Sequence, residues 1–185
     1  MKAAIAVILS AVVLLLAFSL PSLAEDSDSV TITMTGAYAV SISLDRTHWP
    51  LGTVSPNTEY TTTPAIQWCT LTVTGNCDVN IFIVGEDATW VDDPGAYQWT
   101  LSDDGSNGEH MYGLWFRISQ DNTRGPHGDG YVPITKTQQE FWPYGGRPSL
   151  GPDDSKQFGL KLLTPSHLVG GREMQALVTI IAVAA

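Results

Sequence analysis

An all-β fold, an antiparallel two-sheet sandwich of Ig-like or jelly-roll type with about nine strands, is what this sequence predicts. Three observations carry that expectation. Short runs of alternating apolar and polar residues recur along the chain, Gly- and Pro-containing turn signals separate them, and no stretch repeats apolar residues at helical spacing. The clearest alternation lies at Ile66–Val84, IQWCTLTVTGNCDVNIFIV. Cys69, Leu71 and Val73 share one parity, with Trp68, Thr70, Thr72 and Thr74 on the other. After Thr74-Gly75-Asn76 the pattern resumes with Cys77, Val79, Ile81 and Ile83 opposite Asp78, Asn80 and Phe82. Both cysteines therefore fall on the apolar side of what reads as the core.

The chain opens with Lys2, an apolar run from Ala3 to Leu20, and a small-residue ending, Ser22-Leu23-Ala24, before Glu25-Asp26. That order describes a secretory signal peptide at residues 1–24, cleaved after Ala24. The competing reading is a membrane-embedded helix, since the run approaches the roughly 20 residues that a span needs; Pro21 and the small residues at the cut favour removal. No cysteine stands near the cut, which excludes a lipoprotein. Removing 24 of 185 residues leaves 161. That suffices for a single β-sandwich domain at residues 25–185 that buries about 70% of its extended-chain surface.

The leader holds one Lys and no acid, so its loss moves the net charge from −10 to −11. Such a balance repels nucleic acid and anionic lipid, and no membrane contact is expected once the leader is gone. The acids (Glu86, Asp87, Asp92, Asp93, Asp103, Asp104, Asp153, Asp154) sit mostly in expected loops. No cofactor is expected; calcium is possible at such loop pairs, although no D-x-D-x-D-G loop occurs.

Two cysteines in an exported chain usually form one bond, here Cys69–Cys77, worth roughly 2–3 kcal/mol for so short a loop. A tight hairpin at Thr74-Gly75-Asn76 would separate them by about four residues, or ~13 Å. A disulfide tolerates at most about 7 Å between Cα atoms. Either the two runs form an arch crossing between sheets and the bond is internal, or the cysteines pair elsewhere, with a neighbouring subunit the main alternative.

Along the rest of the chain, Val30, Ile32 and Met34 alternate, then after Gly36 Val40, Ile42 and Leu44 do so, which reads as two strands joined by a bend. Residues 46–57 are loop-like around Leu51–Val54, and 58–63 form a polar edge. Tyr97–Leu101, Met111–Ser119, Tyr131–Ile134 and Lys156–Leu163 read as strands, the second with Leu114, Phe116 and Ile118 inward and Arg117 outward. Residues 135–154 are the least regular part. Met174–Ala185 is apolar at nearly every position, which predicts a terminal strand covered on both faces.

The order LGTV (51–54), LTVTGN (71–76) with its alternating V-N-I-F-I continuation (79–83), W-T-L (99–101) and SKQFGLKLLTP (155–165) before a terminal apolar strand resembles secreted Ig-like modules of bacterial and archaeal surface proteins. It is similar to the camelysin/TasA group of biofilm-matrix fibre subunits. The likeness covers most of residues 30–185. It implies a jelly-roll or Ig-like sandwich and assembly by donation of a terminal strand. No His/Glu motif matches camelysin-type metal ligands, so no individual functional residue is carried over.

His48, His110, His127 and His167 are isolated, and H-E-x-x-H, C-x-x-C and G-x-S-x-G are all absent. The chain is therefore not expected to be an enzyme. The expected function is that of a secreted structural subunit, extracellular or at the cell surface, whose partners are copies of itself. Two uncharged ends motivate this: Val30, Ile32, Met34, Val40, Ile42 and Leu44 at one, and Leu177, Val178, Ile180, Ile181 and Val183 at the other. An uncharged free edge is a template for another strand. The alternative is a carbohydrate-binding module that presents Trp90, Trp142 and Tyr144 as a stacking platform.

Overall fold

The computed structural model describes residues 30–63, 66–95, 98–118, 130–142 and 149–185. Two compact units divide the chain, Met1–Gly36 and Ala37–Ala185. Of the first, residues 30–36 are described and carry no regular structure, with Val30, Ile32 and Met34 exposed at 88%, 75% and 85%. The signal peptide expected at 1–24 lies outside the described residues.

Among the described residues the second unit is all-β, without a helix. Its strands are β1 (Ile42–Leu44), β2 (Glu59–Thr61), β3 (Cys69–Val73), β4 (Val79–Gly85), β5 (Ala88–Trp90) and β6 (Gln98–Leu101). Then follow β7 (Met111–Ile118), β8 (Val132–Pro133), β9 (Gln139–Glu140), β10 (Ser155–Leu163), β11 (Met174–Gln175) and β12 (Val178–Ala184). Twelve strands rather than nine result because two- and three-residue pieces pair locally.

One sheet has nine strands in the path β1-β3-β10-β7-β6-β5-β11, with β2 added to β10 and β8 to β7. The other has three, β12-β4-β9. Pairing is antiparallel except between β6 and β7, which run parallel at Thr100↔Met111 and Leu101↔Tyr112. The first sheet is therefore mixed, against the antiparallel expectation. A parallel step normally needs a long crossover; two residue pairs are reached here by the loop between Leu101 and Met111. The Asp104 carboxylate ties that loop down, accepting from Ser102 Oγ at 2.6 Å and from the Ser106 amide at 2.9 Å.

The alternation read at Ile66–Val84 becomes an arch. Chain leaves the first sheet at the end of β3, turns at Thr74-Gly75-Asn76, and enters the second sheet as β4. Leu71 and Val73 from one side and Val79, Ile81 and Ile83 from the other are fully or almost fully buried in one cluster. Phe141, just past β9, is at its centre, stacked on Phe116 at 5.4 Å and edge-on to Phe158 at 5.2 Å. Trp142 is buried beside it, edge-on at 5.1 Å.

β7 is buried on both faces, where alternation predicted one wet face. Trp115, on the side away from Leu114 and Phe116, lies against Gly105 and Gly113, and any Cβ at either glycine would collide with its ring. Lys161 of β10 pairs with Trp115 in register and stands 4.7 Å from its ring and 4.8 Å from that of Tyr131. Its ammonium also lies 3.8 Å from Glu59. Trp68, whose parity is that of an outward residue, is buried over Gly159, with its Nε1 donating to Thr62 O at 3.2 Å.

Both terminal expectations need correction. Of Val30–Leu44 only Ile42–Leu44 forms a strand, so Val30, Ile32, Met34 and Val40 lie outside one. Met174–Ala185 is two pieces rather than one: β11 pairs with β5 in the first sheet, Leu177 lies in the crossing, and β12 pairs with β4 in the second. Nor is β12 covered on both faces, since none of its residues is buried.

Replacing Phe141 by Ala removes the ring on which Phe116, Trp142 and Phe158 converge. A loss of about 3–5 kcal/mol in unfolding free energy is expected by denaturant titration.

Candidate functional site: an open strand edge

Strand β12 lies along β4 for its whole length, from Val178↔Gly85 to Ala184↔Val79. Cross-strand partners share a face, so Val178, Ile180 and Ala182 point inward with Gly85, Ile83 and Ile81, while Thr179, Ile181 and Val183 point outward. The inward three pack against the core but stay only half-buried. Among the described residues, no strand pairs with the outer edge of β12. From Met174 to Ala185 there is no charge to discourage one.

The first sheet ends on the same flank. Val79 exchanges two backbone hydrogen bonds of 2.9 Å with Leu150, on the β9 side of β4. Val73 donates to Asp154 O at 2.9 Å, on the β10 side of β3. Only the short stretch from Leu150 to Asp154 joins those two places, so β9 and β10 share one flank. β1 and β12 therefore share the opposite one. Ile42 and Leu44 of β1, like Val178, Ile180 and Ala182, are apolar, core-facing and partly exposed. Among the described residues, no strand covers the core along this side.

The arch corner closes one end of the flank. The Asn76 side chain accepts from the Ala39 amide at 2.7 Å and donates to Ala37 O at 2.9 Å. Its own amide donates to Ala39 O at 3.0 Å. The Thr74 and Gly75 amides both donate to Ser41 O, at 2.9 and 3.1 Å, and Thr74 Oγ1 donates to Ser41 Oγ at 2.8 Å. A Cβ at Gly75 would strike Ala39 O and Ser41 N, so only glycine admits this approach. Ala185, just past β12, donates to Asp78 O at 2.9 Å at the same end. Sequence reading took Thr74-Gly75-Asn76 for a turn and missed Asn76 as a side-chain ligand of the backbone. The available signal was an Asn after Gly at the end of an alternating run, a residue type that hydrogen-bonds neighbouring backbone readily.

Cys69 and Cys77 are free thiols, so the internal bond is corrected while the arch geometry holds. Cys69 starts β3, at the end remote from the corner, and its Sγ lies 3.6 Å from Arg46 O. Cys77 follows the corner and lies 3.8 Å from Ala39 O. The length of β3 keeps them apart. Burial, reinforced by the Asp45 carboxylate and opposed by Arg46, raises the Cys69 thiol above its ordinary pKa.

The residues expected to stack on sugar are not brought together as a platform. Trp142 is buried with its ring edge against Phe141. Trp90 is half-buried, and the Arg172 guanidinium covers its ring at 4.1 Å while lying 3.8 Å from Asp92. Tyr144 lies outside the described residues. His48, His110 and His167 are exposed, and among the described residues no group of three or more His, Cys, Asp or Glu side chains converges to hold a metal ion. A recess of about 150 Å³ lies beside β4, between Asn80, Glu140, Trp142 and Ser149.

No protein-family model matches the chain, and no curated protein matches it either.

Intact mass under denaturing alkylation tests the thiol assignment. Two adducts without prior reduction are expected, and none would mean that Cys69 and Cys77 are bonded. On the folded protein, the alkylation midpoint of Cys69 should lie above that of free cysteine and move down in Asp45→Asn, because the neighbouring negative charge is removed.

Proposed function

We propose that this chain is an exported structural subunit of an extracellular filament or surface layer, in which the two sheets make an Ig-like or jelly-roll sandwich and successive copies are joined by β-strand addition. The observation that carries this reading is β12, a seven-residue uncharged strand with an apolar inward face, no buried residue and, among the described residues, no strand on its outer edge. Residues 30–36, VTITMTG, supply a matching donor: seven residues without charge, with Val30, Ile32 and Met34 at alternate positions and exposed to solvent.

Laid along the β12 edge of another copy, such a segment gains a ladder of backbone hydrogen bonds and points one apolar face at Ile180 and Ala182. Fully burying each of the three side chains stabilises the contact by about 1.5–3 kcal/mol. The net gain is smaller, because the segment must be ordered on binding. The leader-like residues 1–24 support export, and a net charge of −10 for the whole chain supports a partner that is neither nucleic acid nor anionic lipid.

Electron microscopy and sedimentation of the purified protein test this. Fibres or sheets are expected for the wild type, whereas Ile181→Lys, which places a charge on the outward face of β12, should remain monomeric with an unchanged melting temperature. A wild-type protein that stays monodisperse at high concentration, with and without calcium, overturns the proposal.

A further inference from the structure

We infer that β12 is matched to itself: two copies of this chain pair their β12 strands antiparallel, about a two-fold axis at Ile181, and close each other's open edge. The inference uses the same uncharged edge as the strand-addition reading above, on which its consequence for assembly rests, and does not involve the donor segment. It begins from hydrogen-bond parity. The Glu86 amide donates to Leu177 O at 3.1 Å and the Ala185 amide to Asp78 O at 2.9 Å, both in the register that runs from Val178↔Gly85 to Ala184↔Val79. Hydrogen-bonded and non-hydrogen-bonded pairs alternate along an antiparallel ladder. Thr179, Ile181 and Val183 therefore bond to β4, while Val178, Ile180, Ala182 and Ala184 turn their N–H and C=O groups away from it. The far edge of β4 agrees: Gly85 donates to Thr135 O and Ile81 O accepts from the Phe141 amide, so these residues turn toward β9 and the alternate ones toward β12.

The outward-turned residues are symmetric about Ile181, the middle residue of the seven. In that register Val178 stands opposite the partner's Ala184 and Ile180 opposite the partner's Ala182, and each pair exchanges both backbone hydrogen bonds. On the inward face a branched side chain thus meets a methyl at every position, large against small, as facing layers interdigitate. On the outer face Thr179 meets the partner's Val183, and Ile181 meets its own counterpart. A one-residue slip opposes Ile180 to the partner's Ile181, whose backbone groups are committed to β4, and the ladder is lost. In a chain of net charge −10, copies repel wherever acids face one another; a strand without charge, laid against itself, opposes none. An isologous contact of this kind closes and cannot propagate. The dimer therefore holds in reserve the edge that polymer growth needs, and growth begins when the pair parts.

Introduced cysteines on the outer face read the register. The central pair is a non-hydrogen-bonded one, with Cα atoms about 4.5 Å apart, within reach of a disulfide. Mild oxidation of purified Ile181→Cys should give a dimer linked between the two introduced cysteines, identified by peptide mass. Thr179→Cys and Val183→Cys each lie ~13 Å from their own counterparts at ~3.3 Å per residue. Alone they should link several-fold more slowly than Ile181→Cys, and mixed they should link to each other as readily. The linked Ile181→Cys dimer should not polymerise until reductant is added. Failure of Ile181→Cys to link, or equal linking by Thr179→Cys alone, overturns the self-pairing, and fibres from the wild type would then leave strand addition standing. Polymer growth from the linked dimer overturns the reserve role. Linking in the expected pattern without fibres from the wild type leaves the dimer standing and overturns strand addition.

Discussion

Strand β4 is the element on which the rest of this protein depends. It receives the chain from the arch, buries Val79, Ile81 and Ile83 against the larger sheet, and holds β12 on one edge and β9 on the other. With strands spaced about 4.8 Å apart, three strands cannot span a sheet whose path runs through seven. On the β9 side the shortfall is met by side chains: Phe141 and Trp142 continue from β9 into the core, and Leu150 pairs with Val79. On the β12 side no described element plays that part. The half-exposed Ile42, Leu44, Val178, Ile180 and Ala182 are the consequence.

Natural edge strands usually carry charge, proline or a bulge that blocks addition of a further strand. β12 has none of these, and its twelve-residue surroundings from Met174 to Ala185 contain only Gln175 and Thr179 as polar side chains. The protein places its charge elsewhere, in loop acids and in ion pairs such as Lys136–Asp87 at 3.3 Å. Charge kept off one edge of an otherwise acidic molecule is the pattern that strand addition between copies requires.

Much of the fold was legible because strand alternation is a local signal. The inward sets Leu71/Val73 and Val79/Ile81/Ile83 and the strand at Lys156–Leu163 follow from period two, whereas the arch at Thr74-Gly75-Asn76 was favoured over a flat hairpin only to bring Cys69 and Cys77 together, and the arch stands without that bond. What escaped was decided by contacts distant in sequence. Trp68 has the parity of a solvent-facing residue, yet it packs over Gly159, and no local pattern announces a glycine opposite an indole. Trp142 reads as loop because its burial depends on Phe141 reaching into the core. The continuous apolarity of Met174–Ala185 suggested double coverage; the chain instead changes sheets at Leu177 and leaves both pieces at edges. Of the candidate edge, the uncharged composition was visible in the sequence, and its unpaired state was not.

Amide hydrogen exchange along β12 tests the central claim most directly, because half of its amides face β4 and the other half face the open edge. In dilute monomer the account predicts an alternating profile, protected where β4 accepts and fast at the intervening positions, which converts to uniform protection in the assembled state. Uniform slow exchange across Val178–Ala184 in a demonstrably monomeric sample would mean that the edge is already paired within one molecule, and would contradict the account.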